Sequence, residues 1–427
     1  MLAKFTTMKM PGIDYLHSLV PLGMTGDLRN MERLLAAFHY PEKEFDSIHV
    51  VGTDGKGSTA FYLSVILSAY HLRSGLYTSP HLVNVRERIR INDVPIAEPD
   101  FDRLLLKVKN AAEANSVRLS FFEAVTLVCF LYFEEQNVDV AVVEAGLGGR
   151  LDSTRTANGK WAILTSIGLE HTELLGNTES EILHEKLGIL ADGATIFVGG
   201  ICSELIRDAE NFVKPIHAKV IVPKIREEIQ VPNPGHHYIE NASLSLAAAA
   251  VYLGDLYDDS IALKALMLRP WAGRMQKLID RNGNFRWLLD GAHNPHAAKR
   301  LAEALWTYFP GKKFPCVFGS LKDKNLDEML TLLSPFVSEW FITRTPYPRF
   351  REVENIASEL RARKAKVVLT GELNREFLDS VQSLAKGSPV LLTGSLYMIG
   401  KSIDLLKNDF EDLRFFRGLE MSESESH

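Results

Sequence analysis

The chain has 427 residues, of which 46% are hydrophobic and 24% charged, and its formal net charge is −6. This composition is typical of a soluble globular protein of about two domains, and the negative charge does not favour a nucleic-acid-binding surface. The three cysteines Cys129, Cys202 and Cys316 lie far apart, which predicts neither a disulfide framework nor a cysteine metal site and suits a reducing cytosol. The first five residues lack a signal-peptide pattern, and no apolar run is long enough to span a bilayer. We therefore expect a cytoplasmic protein without membrane or nucleic-acid partners.

The sequence GTDGKGST at 52–59 is the first stretch with the chemistry of a binding site. It follows a stretch of helical periodicity at 12–40 and an apolar strand, and a helix begins at Lys56. Glycine backbone N–H groups and a helix N-terminus together bind phosphate, Lys56 would meet the terminal phosphates, and the Ser58 or Thr59 hydroxyl could hold Mg²⁺. The spacing is shorter than in the common GxxxxGK[ST] loop, so the alternative is an ordinary glycine-rich turn. The flanking strand and helix favour the phosphate site.

A second loop follows the short predicted strand at 74–77. Residues 78–82 come directly after it, and open α/β sheets bind ligands in loops at the carboxyl ends of their strands. Arg86, Arg88 and Arg90 then alternate with apolar or acidic residues. They are either one solvated face of an edge strand or a clamp for an anionic ligand.

A third loop follows a predicted strand at 138–143. It is preceded by an amphipathic helix and by a nearly apolar helix at 121–135, which begins with Phe121 and Phe122. These two aromatic residues are either core residues or a ligand platform. Glu144 lies at the end of the strand, before a glycine-rich turn, where a carboxylate can bind Mg²⁺, form a salt bridge or cap a helix.

The α/β pattern continues through a strand at 161–167, after which His171 is either a structural histidine or an unusual nitrogen ligand of Mg²⁺. Lys186 lies on the next helix, where a lysine is ordinarily a solvated charge. Residues 194–222 alternate short strands with a helix, and Asn241 begins a helix of small residues.

The second half of the chain has its own alternation of strands and helices. We predict one domain over 1–276, a smaller Rossmann-like domain over 277–420, which opens with an Asn-Gly hairpin, and a disordered tail over 421–427. The sequence DGAHNP at 290–295 follows a strand, which favours a ribose or phosphate contact, although Asn294 is equally suited to be a helix N-cap.

In this order, the motifs resemble those of the Mur ligase superfamily, and most closely those of the folylpolyglutamate synthase/dihydrofolate synthase family. The phosphate loop is similar to that family's GTNGKGS/T-T, and residues 78–82 to its TSPHL. Residues 144–152 resemble its ExGLGGRLD, residues 166–172 its SIGxDHT, and residues 290–295 its DxAHNP. The resemblance extends to Leu396 and Tyr397 and covers most of the chain.

The resemblance implies an α/β protein with an N-terminal P-loop ATPase domain built on a mostly parallel sheet and a smaller C-terminal Rossmann-like domain. It implies an ATP-dependent carboxylate–amine ligase, in which ATP phosphorylates a pterin carboxylate and the amine of L-glutamate attacks the acyl phosphate. The expected small molecules are ATP, Mg²⁺, L-glutamate and dihydropteroate or folate, and we expect a monomer. The alternatives are a Mur-type ligase for another acid, such as a peptidoglycan precursor, and a P-loop ATPase or regulator that makes no amide.

The resemblance also assigns roles to residues. The catalytic residues are expected to be Lys56, Lys186 and His171. The nucleotide is expected to contact Gly55, Lys56, Gly57, Ser58, Thr59, Asn241, Arg274, Asp290 and His293. The pterin substrate is expected to contact Ser79, Pro80, His81, Phe121, Phe122, Glu123, Asp152 and Ser153. Two Mg²⁺ ions are expected at Ser58, Glu144, His171 and Lys186, with one ion held by a carbamylated Lys186.

Two positions depart from the family pattern. Asp54 replaces the usual asparagine of the phosphate loop and adds a negative charge near the phosphates. Pointing inward, its side chain would cost nucleotide affinity unless Mg²⁺ or Arg274 offsets the charge; pointing outward, it would be a harmless turn residue. Arg155 stands where the family usually has asparagine, which predicts a changed pterin or carboxylate specificity.

Overall fold

The computed structural model describes residues 10–19, 27–157 and 159–421, which form two compact units. The first unit comprises Met1–Pro80, Arg88–Lys224 and Leu244–Ala265, and the second comprises His81–Glu87, Ile225–Ser243 and Leu266–His427. The domain boundary between 276 and 277 stays a prediction. The N-terminal five residues and, apart from Met421, the tail at 421–427 lie outside the described residues.

Helices and strands alternate through both units. The α-helices are α1 Pro11–Ser18, α2 Arg29–Ala37, α3 Lys56–Ala69, α4 Glu98–Ala114, α5 Phe121–Glu135, α6 Thr172–Leu175, α7 Glu179–Leu187, α8 Ser203–Val213, α9 His236–Leu253, α10 Asp259–Leu266, α11 Pro295–Tyr308, α12 Leu326–Leu333, α13 Val353–Ala362, α14 Arg375–Leu384 and α15 Leu396–Leu406. The strands are β1 Asp46–Val51, β2 Ser74–Tyr77, β3 Ile89–Ile91, β4 Val94–Pro95, β5 Val140–Glu144, β6 Trp161–Leu164, β7 Thr195–Val198, β8 Lys219–Ile221, β9 Gln276–Ile279, β10 Phe285–Leu289, β11 Phe314–Phe318, β12 Val337–Thr343, β13 Val367–Gly371 and β14 Val390–Thr393.

In the first unit, the described strands form one sheet in the order β4-β3-β2-β5-β1-β6-β7-β8. The pairs from β2 to β8 are parallel, whereas β3 and β4 add an antiparallel edge. The central strand β1 is buried on both faces from Ser47 to Val51, as the strands of parallel α/β sheets are. The mostly parallel sheet predicted from the sequence is therefore confirmed. Because β5, β1 and β6 are adjacent and parallel, their carboxyl ends lie at the same edge of the sheet.

In the second unit, the described strands form a sheet in the order β13-β12-β11-β14-β10-β9. All its pairs are parallel except the hairpin β9–β10, which turns at the predicted Asn-Gly. The buried core of this unit packs Trp287, Phe341 and Ile399 with Val83 from the segment His81–Glu87. The predicted Rossmann-like sheet is confirmed.

The structure corrects several local expectations. The helical stretch at 12–40 contains two helices, α1 and α2, and residues 20–26 between them lie outside the described part of the chain. Val85–Arg88 is a 3₁₀ turn, and the side chains of Arg88 and Arg90 are buried, so a solvated edge-strand face is wrong for these two residues. Helices α10 and α15 were not expected from the sequence. Within the described ranges, no helix combines the length and apolarity needed to cross a bilayer.

Candidate functional site

The phosphate loop connects β1 to α3, and glycine is required at two of its positions. Gly52 has a φ of +147°, and a Cβ atom there would lie 1.9 Å from Thr165 Oγ1. Gly55 is the N-cap of α3, with a left-handed φ of +87°. Only glycine adopts such dihedrals without strain and leaves room for a close approach of the backbone. The glycines are therefore explained by the geometry of the loop.

Hydrogen bonds with Thr165 and Ser166, which directly follow the neighbouring strand β6, hold the phosphate loop in place. The N–H groups of Thr53 and Asp54 donate to Ser166 O and Ser166 Oγ, both at 3.0 Å. The carbonyl oxygen of Asp54 accepts from Thr165 Oγ1 at 2.6 Å and from Ser166 Oγ at 3.1 Å. Because the main chain of Asp54 is fixed in this way, the family's asparagine can be replaced without loss of these backbone bonds.

The polar side chains of the phosphate loop differ in whether they have hydrogen-bond partners. Lys56 Nζ donates to the carbonyl oxygens of Gly52 and Thr53, at 2.8 and 2.9 Å. Ser58 Oγ donates to the carbonyl oxygen of the helix N-cap at 3.0 Å. Among the described residues, Thr59 Oγ1 is buried and has no hydrogen-bond partner. A buried hydroxyl without a partner at a helix N-terminus fits a ligand oxygen, so the loop fits the phosphate group expected there.

Lys186 on α7 lies directly beside this loop. It is only 1% exposed, and its Nζ donates to Gly52 O at 2.9 Å and to Glu170 Oε1 at 2.8 Å. Burial, together with the nearby Lys56 charge, lowers the pKa of Lys186 to about 8, although Glu170 opposes the fall. Burial raises the pKa of Glu170, but the two lysines outweigh it and the net direction is downward. Lys186 is therefore a buried amine and not the solvated charge that a lysine on a helix ordinarily is.

Glu170 is a residue of this site that sequence reasoning missed. It occupies the acidic position of the SIGxDHT-like motif, which was the available signal, but the motif does not show which lysine it meets. The ion pair joins residues 16 positions apart through a loop and a helix.

The position of Lys186 is set by both ends of its helix. Thr178 and Glu181 form a capping box at the start of α7, which satisfies the first free N–H groups of the helix. Near the end of α7, the glycine-rich turn after β5 approaches so closely that a Cβ on Gly149 would lie 2.3 Å from Lys186 O. This turn therefore packs on the backbone that carries the buried lysine.

The predicted metal ligands Glu144 and His171 are placed differently. Glu144 is 3% exposed, and its Oε2 accepts from the N–H of Ser79 at 2.9 Å. His171 is the N-cap of α6, its side chain is 47% exposed, and its Nδ1 lies 3.9 Å from Glu173 Oε1. The described residues contain no cluster of three or more His, Cys, Asp or Glu side chains that could hold a metal ion. The Mg²⁺ ligands Ser58, Glu144, His171 and Lys186 stay a prediction.

The two aromatic residues at the start of α5 are half-buried. The guanidinium of Arg88 lies over the Phe121 ring, 5.1 Å from its centroid, and the Phe122 ring lies 5.9 Å from that of Tyr77. Phe122 also covers Gly146, where a Cβ would lie 2.7 Å from the ring. These contacts do not decide whether Phe121 and Phe122 are core residues or a ligand platform. They place the buried guanidinium of Arg88 beside Phe121.

The acidic residues predicted at the pterin have local structural bonds. Glu123 forms the capping box of α5 with Ser120. Asp152 is buried and accepts from Leu147 N at 2.9 Å, Thr154 N at 3.0 Å and Thr154 Oγ1 at 2.6 Å. Burial raises the pKa of Asp152, and these hydrogen bonds oppose the rise. The neighbouring Ser153 is buried in the same 3₁₀ turn. Both carboxylates therefore stabilise the turns that carry them.

In the second unit, Asp290 lies at the carboxyl end of β10. Its two oxygens accept from the N–H groups of Met275 and Ala292, each at 2.9 Å. Gly291 allows Arg274 to approach, because a Cβ there would lie 2.7 Å from Arg274 Nη1. Asp290 thus holds together the two segments that carry Arg274 and the DGAHNP motif.

The other nucleotide residues expected in this unit lie nearby or on α9. His293 Nδ1 is 3.0 Å from Gly291 O, and Asn294 caps α11 by accepting from Ala297 N at 2.8 Å. The N-cap interpretation of Asn294 is therefore confirmed. Asn241 is buried on α9.

The glycine phosphate loop, the buried lysine beside it and the separate Rossmann-like sheet fit the Mur-type ligase that the motifs predict. The family model for the Mur ligase, glutamate ligase domain, matches residues 273–396. The dihydrofolate synthase/folylpolyglutamate synthase of Bacillus subtilis (strain 168) is 30% identical over 423 residues, covering 90% of this chain and 96% of that relative. This chain therefore belongs to the dihydrofolate synthase/folylpolyglutamate synthase family, as the motifs predicted.

Solved structures agree with the sequence comparison. The folylpolyglutamate synthase of Mycobacterium tuberculosis, complexed with ADP and AMPPCP, matches with a TM-score of 0.81 at 26% identity, over 92% of this chain and 97% of that one. An FPGS–AMPPCP–folate complex matches with a TM-score of 0.78 at 26% identity, over 92% and 98% of the two chains.

Proposed function

We propose that this protein is an ATP-dependent ligase that joins L-glutamate to the carboxylate of dihydropteroate or a reduced folate through an acyl phosphate. The observation that carries the proposal is the phosphate loop, in which two glycines with positive φ and the buried Thr59 hydroxyl lie beside the buried amine of Lys186. Membership of the family supports the choice of reaction, and the relatives solved with AMPPCP, ADP and folate support the choice of substrates.

In this proposal, the residues of each unit have separate tasks. The nucleotide phosphates contact Gly55, Lys56, Gly57, Ser58 and Thr59, and the nucleoside end contacts Asn241, Arg274, Asp290 and His293. The pterin contacts Ser79, Pro80, His81, Phe121, Phe122, Glu123, Asp152 and Ser153. Offset stacking on phenylalanine suits a flat pterin ring. The backbone of the phosphate loop and Lys56 orient the terminal phosphate toward the acid, because acyl phosphate formation depends mainly on positioning and on neutralising charge.

We also propose that Mg²⁺ binds at Ser58, Glu144, His171 and a carbamylated Lys186. When bound, Mg²⁺ would neutralise charge on the phosphate oxygens. Carbamylation requires the neutral amine, which attacks the carbon of CO₂, forms an N–C bond and releases a proton. With a pKa of about 8, roughly a quarter of Lys186 is neutral at pH 7.5, against about one molecule in a thousand for an ordinary lysine.

The carbamate has its own test. Lys186→Ala should cripple turnover, and added short carboxylates should partly restore it, because they can occupy the space of the carbamate. Full activity of Lys186→Ala would contradict the assignment. The matched control is Lys160→Ala, which changes an exposed lysine of the same unit and should leave turnover and its response to carboxylates unchanged.

The proposed reaction is tested by measuring phosphate release with each substrate omitted in turn. Release should require ATP, a pterin acid and L-glutamate together, and Lys56→Ala should abolish it. Dihydropteroate and tetrahydrofolate assayed side by side show whether the enzyme makes the first glutamate bond, extends the chain or does both. Turnover with a UDP-sugar peptide but not with pterins would indicate a different Mur-type ligase, and release without any acid would indicate a simple ATPase. Light scattering of the purified protein tests the proposed monomer.

A further inference from the structure

The buried carboxylate of Glu87 lies in the arginine-rich run that follows the 78–82 loop. It is 2% exposed, and it accepts hydrogen bonds from three consecutive backbone N–H groups. Its Oε2 accepts from Leu82 N at 3.1 Å, and its Oε1 accepts from Val83 N at 2.7 Å and from Asn84 N at 2.6 Å. Hydrogen bonds to an ionised carboxylate are shorter and stronger than neutral ones. Glu87 therefore fixes the conformation of residues 82–84.

The turn that Glu87 holds is also fixed to the body of the second unit. Val83 is fully buried in the core of that unit. Leu82 O lies so close to α15 that a Cβ on Gly400 would be 1.8 Å from it. Asn84 Nδ2 donates to Glu420 O at 2.6 Å. Residues 82–84 are thus a rigid part of this unit.

Residue His81 is bonded directly to this turn, and Ser79 and Pro80 precede it. We propose that Glu87 is a positioning residue for the pterin substrate: by fixing residues 82–84, it sets the place of His81, which is bonded directly to them. This inference rests on the proposed function, in which Ser79, Pro80 and His81 contact the pterin. The phosphate loop has its own supports in Thr165 and Ser166, so its backbone does not depend on Glu87.

Two variants of Glu87 remove the hydrogen bonds in steps. In Glu87→Gln, the amide oxygen can still accept from Val83 and Asn84, while the NH₂ group faces the N–H of Leu82 and loses that bond. Glu87→Leu loses all three bonds. We expect the KM for the pterin acid to rise about threefold in Glu87→Gln and roughly tenfold or more in Glu87→Leu. The KM for ATP should rise less than the KM for the pterin acid, since the phosphate loop is held independently of Glu87.

The matched control is Asn374→Ala in the same unit. Asn374 caps α14 by accepting from Phe377 N at 2.8 Å, so this variant also loses a side-chain acceptor for a backbone N–H. It should lower the melting temperature without changing either KM. A general loss of stability is thereby separated from a specific loss of pterin affinity. Circular dichroism establishes which variants fold, and Glu87→Gln supplies the kinetic comparison if Glu87→Leu does not.

Hydrogen exchange at residues 82–84, measured by mass spectrometry, reports the turn without any substrate. Faster exchange in the Glu87 variants, together with a selective rise in the pterin KM, supports the inference. Unchanged exchange at residues 82–84 overturns the inference. Faster exchange with an unchanged pterin KM also overturns it. In the second case the enzyme still turns over pterins, so the proposed function stands. A wild-type protein with no pterin-dependent phosphate release overturns the proposed function and, with it, the role of Glu87 in pterin affinity.

Discussion

The buried amine of Lys186 should make the stability of the first unit rise with pH above about pH 8. The pKa of this lysine falls from 10.5 to about 8, because burial and the charge of Lys56 outweigh the attraction of Glu170. Between these two values the unfolded chain keeps a proton that the folded chain has lost. The unfolded state then binds more protons, so the free energy of unfolding rises with pH.

The size of this effect follows from the two pKa values. A fall from 10.5 to about 8 corresponds to a gain of about 3 kcal/mol in the free energy of unfolding. This gain is absent below about pH 8 and complete above pH 10.5. The perturbation is Lys186→Met, which removes the titrating group and keeps a long apolar side chain. Relative to this variant, the wild-type protein should gain about 3 kcal/mol of unfolding free energy over that range.

The assay is guanidinium chloride unfolding followed by circular dichroism at pH values from 7.5 to 10.5, in buffers free of CO₂ so that the amine stays unmodified. Groups common to both proteins cancel in the difference between their curves. Lys160→Met changes an exposed lysine of the same unit, and its curve should follow that of the wild type. Parallel curves for the wild type and Lys186→Met would refute the reasoning, since they would mean that the buried lysine does not titrate in this range.

Three further predictions concern the phosphate loop and its strand. Lys56→Ala should abolish phosphate release with an unchanged circular dichroism spectrum, and residual turnover would remove Lys56 from the site. Gly52→Ala puts a Cβ atom 1.9 Å from Thr165 Oγ1 and should cost about 2–4 kcal/mol in urea unfolding. Gly193 also has a positive φ, but a Cβ built there has no atom within 4 Å, so Gly193→Ala should cost only about 1 kcal/mol. Equal losses of unfolding free energy in Gly52→Ala and Gly193→Ala would contradict the steric argument. Burial lowers the pKa of His49 from 6.5 to about 4, so on acidification below pH 6.5 the unfolded chain takes up a proton before the folded chain does. By about pH 4 the wild type should therefore lose about 3 kcal/mol of unfolding free energy relative to His49→Gln. Parallel curves of unfolding free energy against pH for the two proteins would contradict this.

Local patterns in the sequence predicted features that depend on neighbouring residues. The apolar strand, the glycine turn and the helix at Lys56 appear where the sequence indicates them. The Asn-Gly hairpin and the N-cap role of Asn294 are also confirmed. Each of these depends on backbone dihedrals and hydrogen bonds within a few residues, and therefore leaves a signal in a short stretch of sequence.

The family and its reaction class also came from the sequence, because several motifs keep one order along the chain. The order does not show how each motif is held. The burial of Lys186 and its ion pair with Glu170 depend on the close approach of α7 to the strand ends. The alternating arginines at 86–90 look like a solvated strand, yet Arg88 and Arg90 are buried.

The tertiary structure decided which polar groups meet across long separations in the chain. Thr165 and Ser166 hold the backbone of Asp54 from more than 100 positions away. The segment His81–Glu87 belongs to the second unit, although the stretches before and after it in the sequence belong to the first. Such contacts have no periodicity or spacing that a single sequence can display, because they depend on the order of strands in the sheet. Sequence determined the elements and their chemistry, and packing alone determined the environment that sets each group's charge and position.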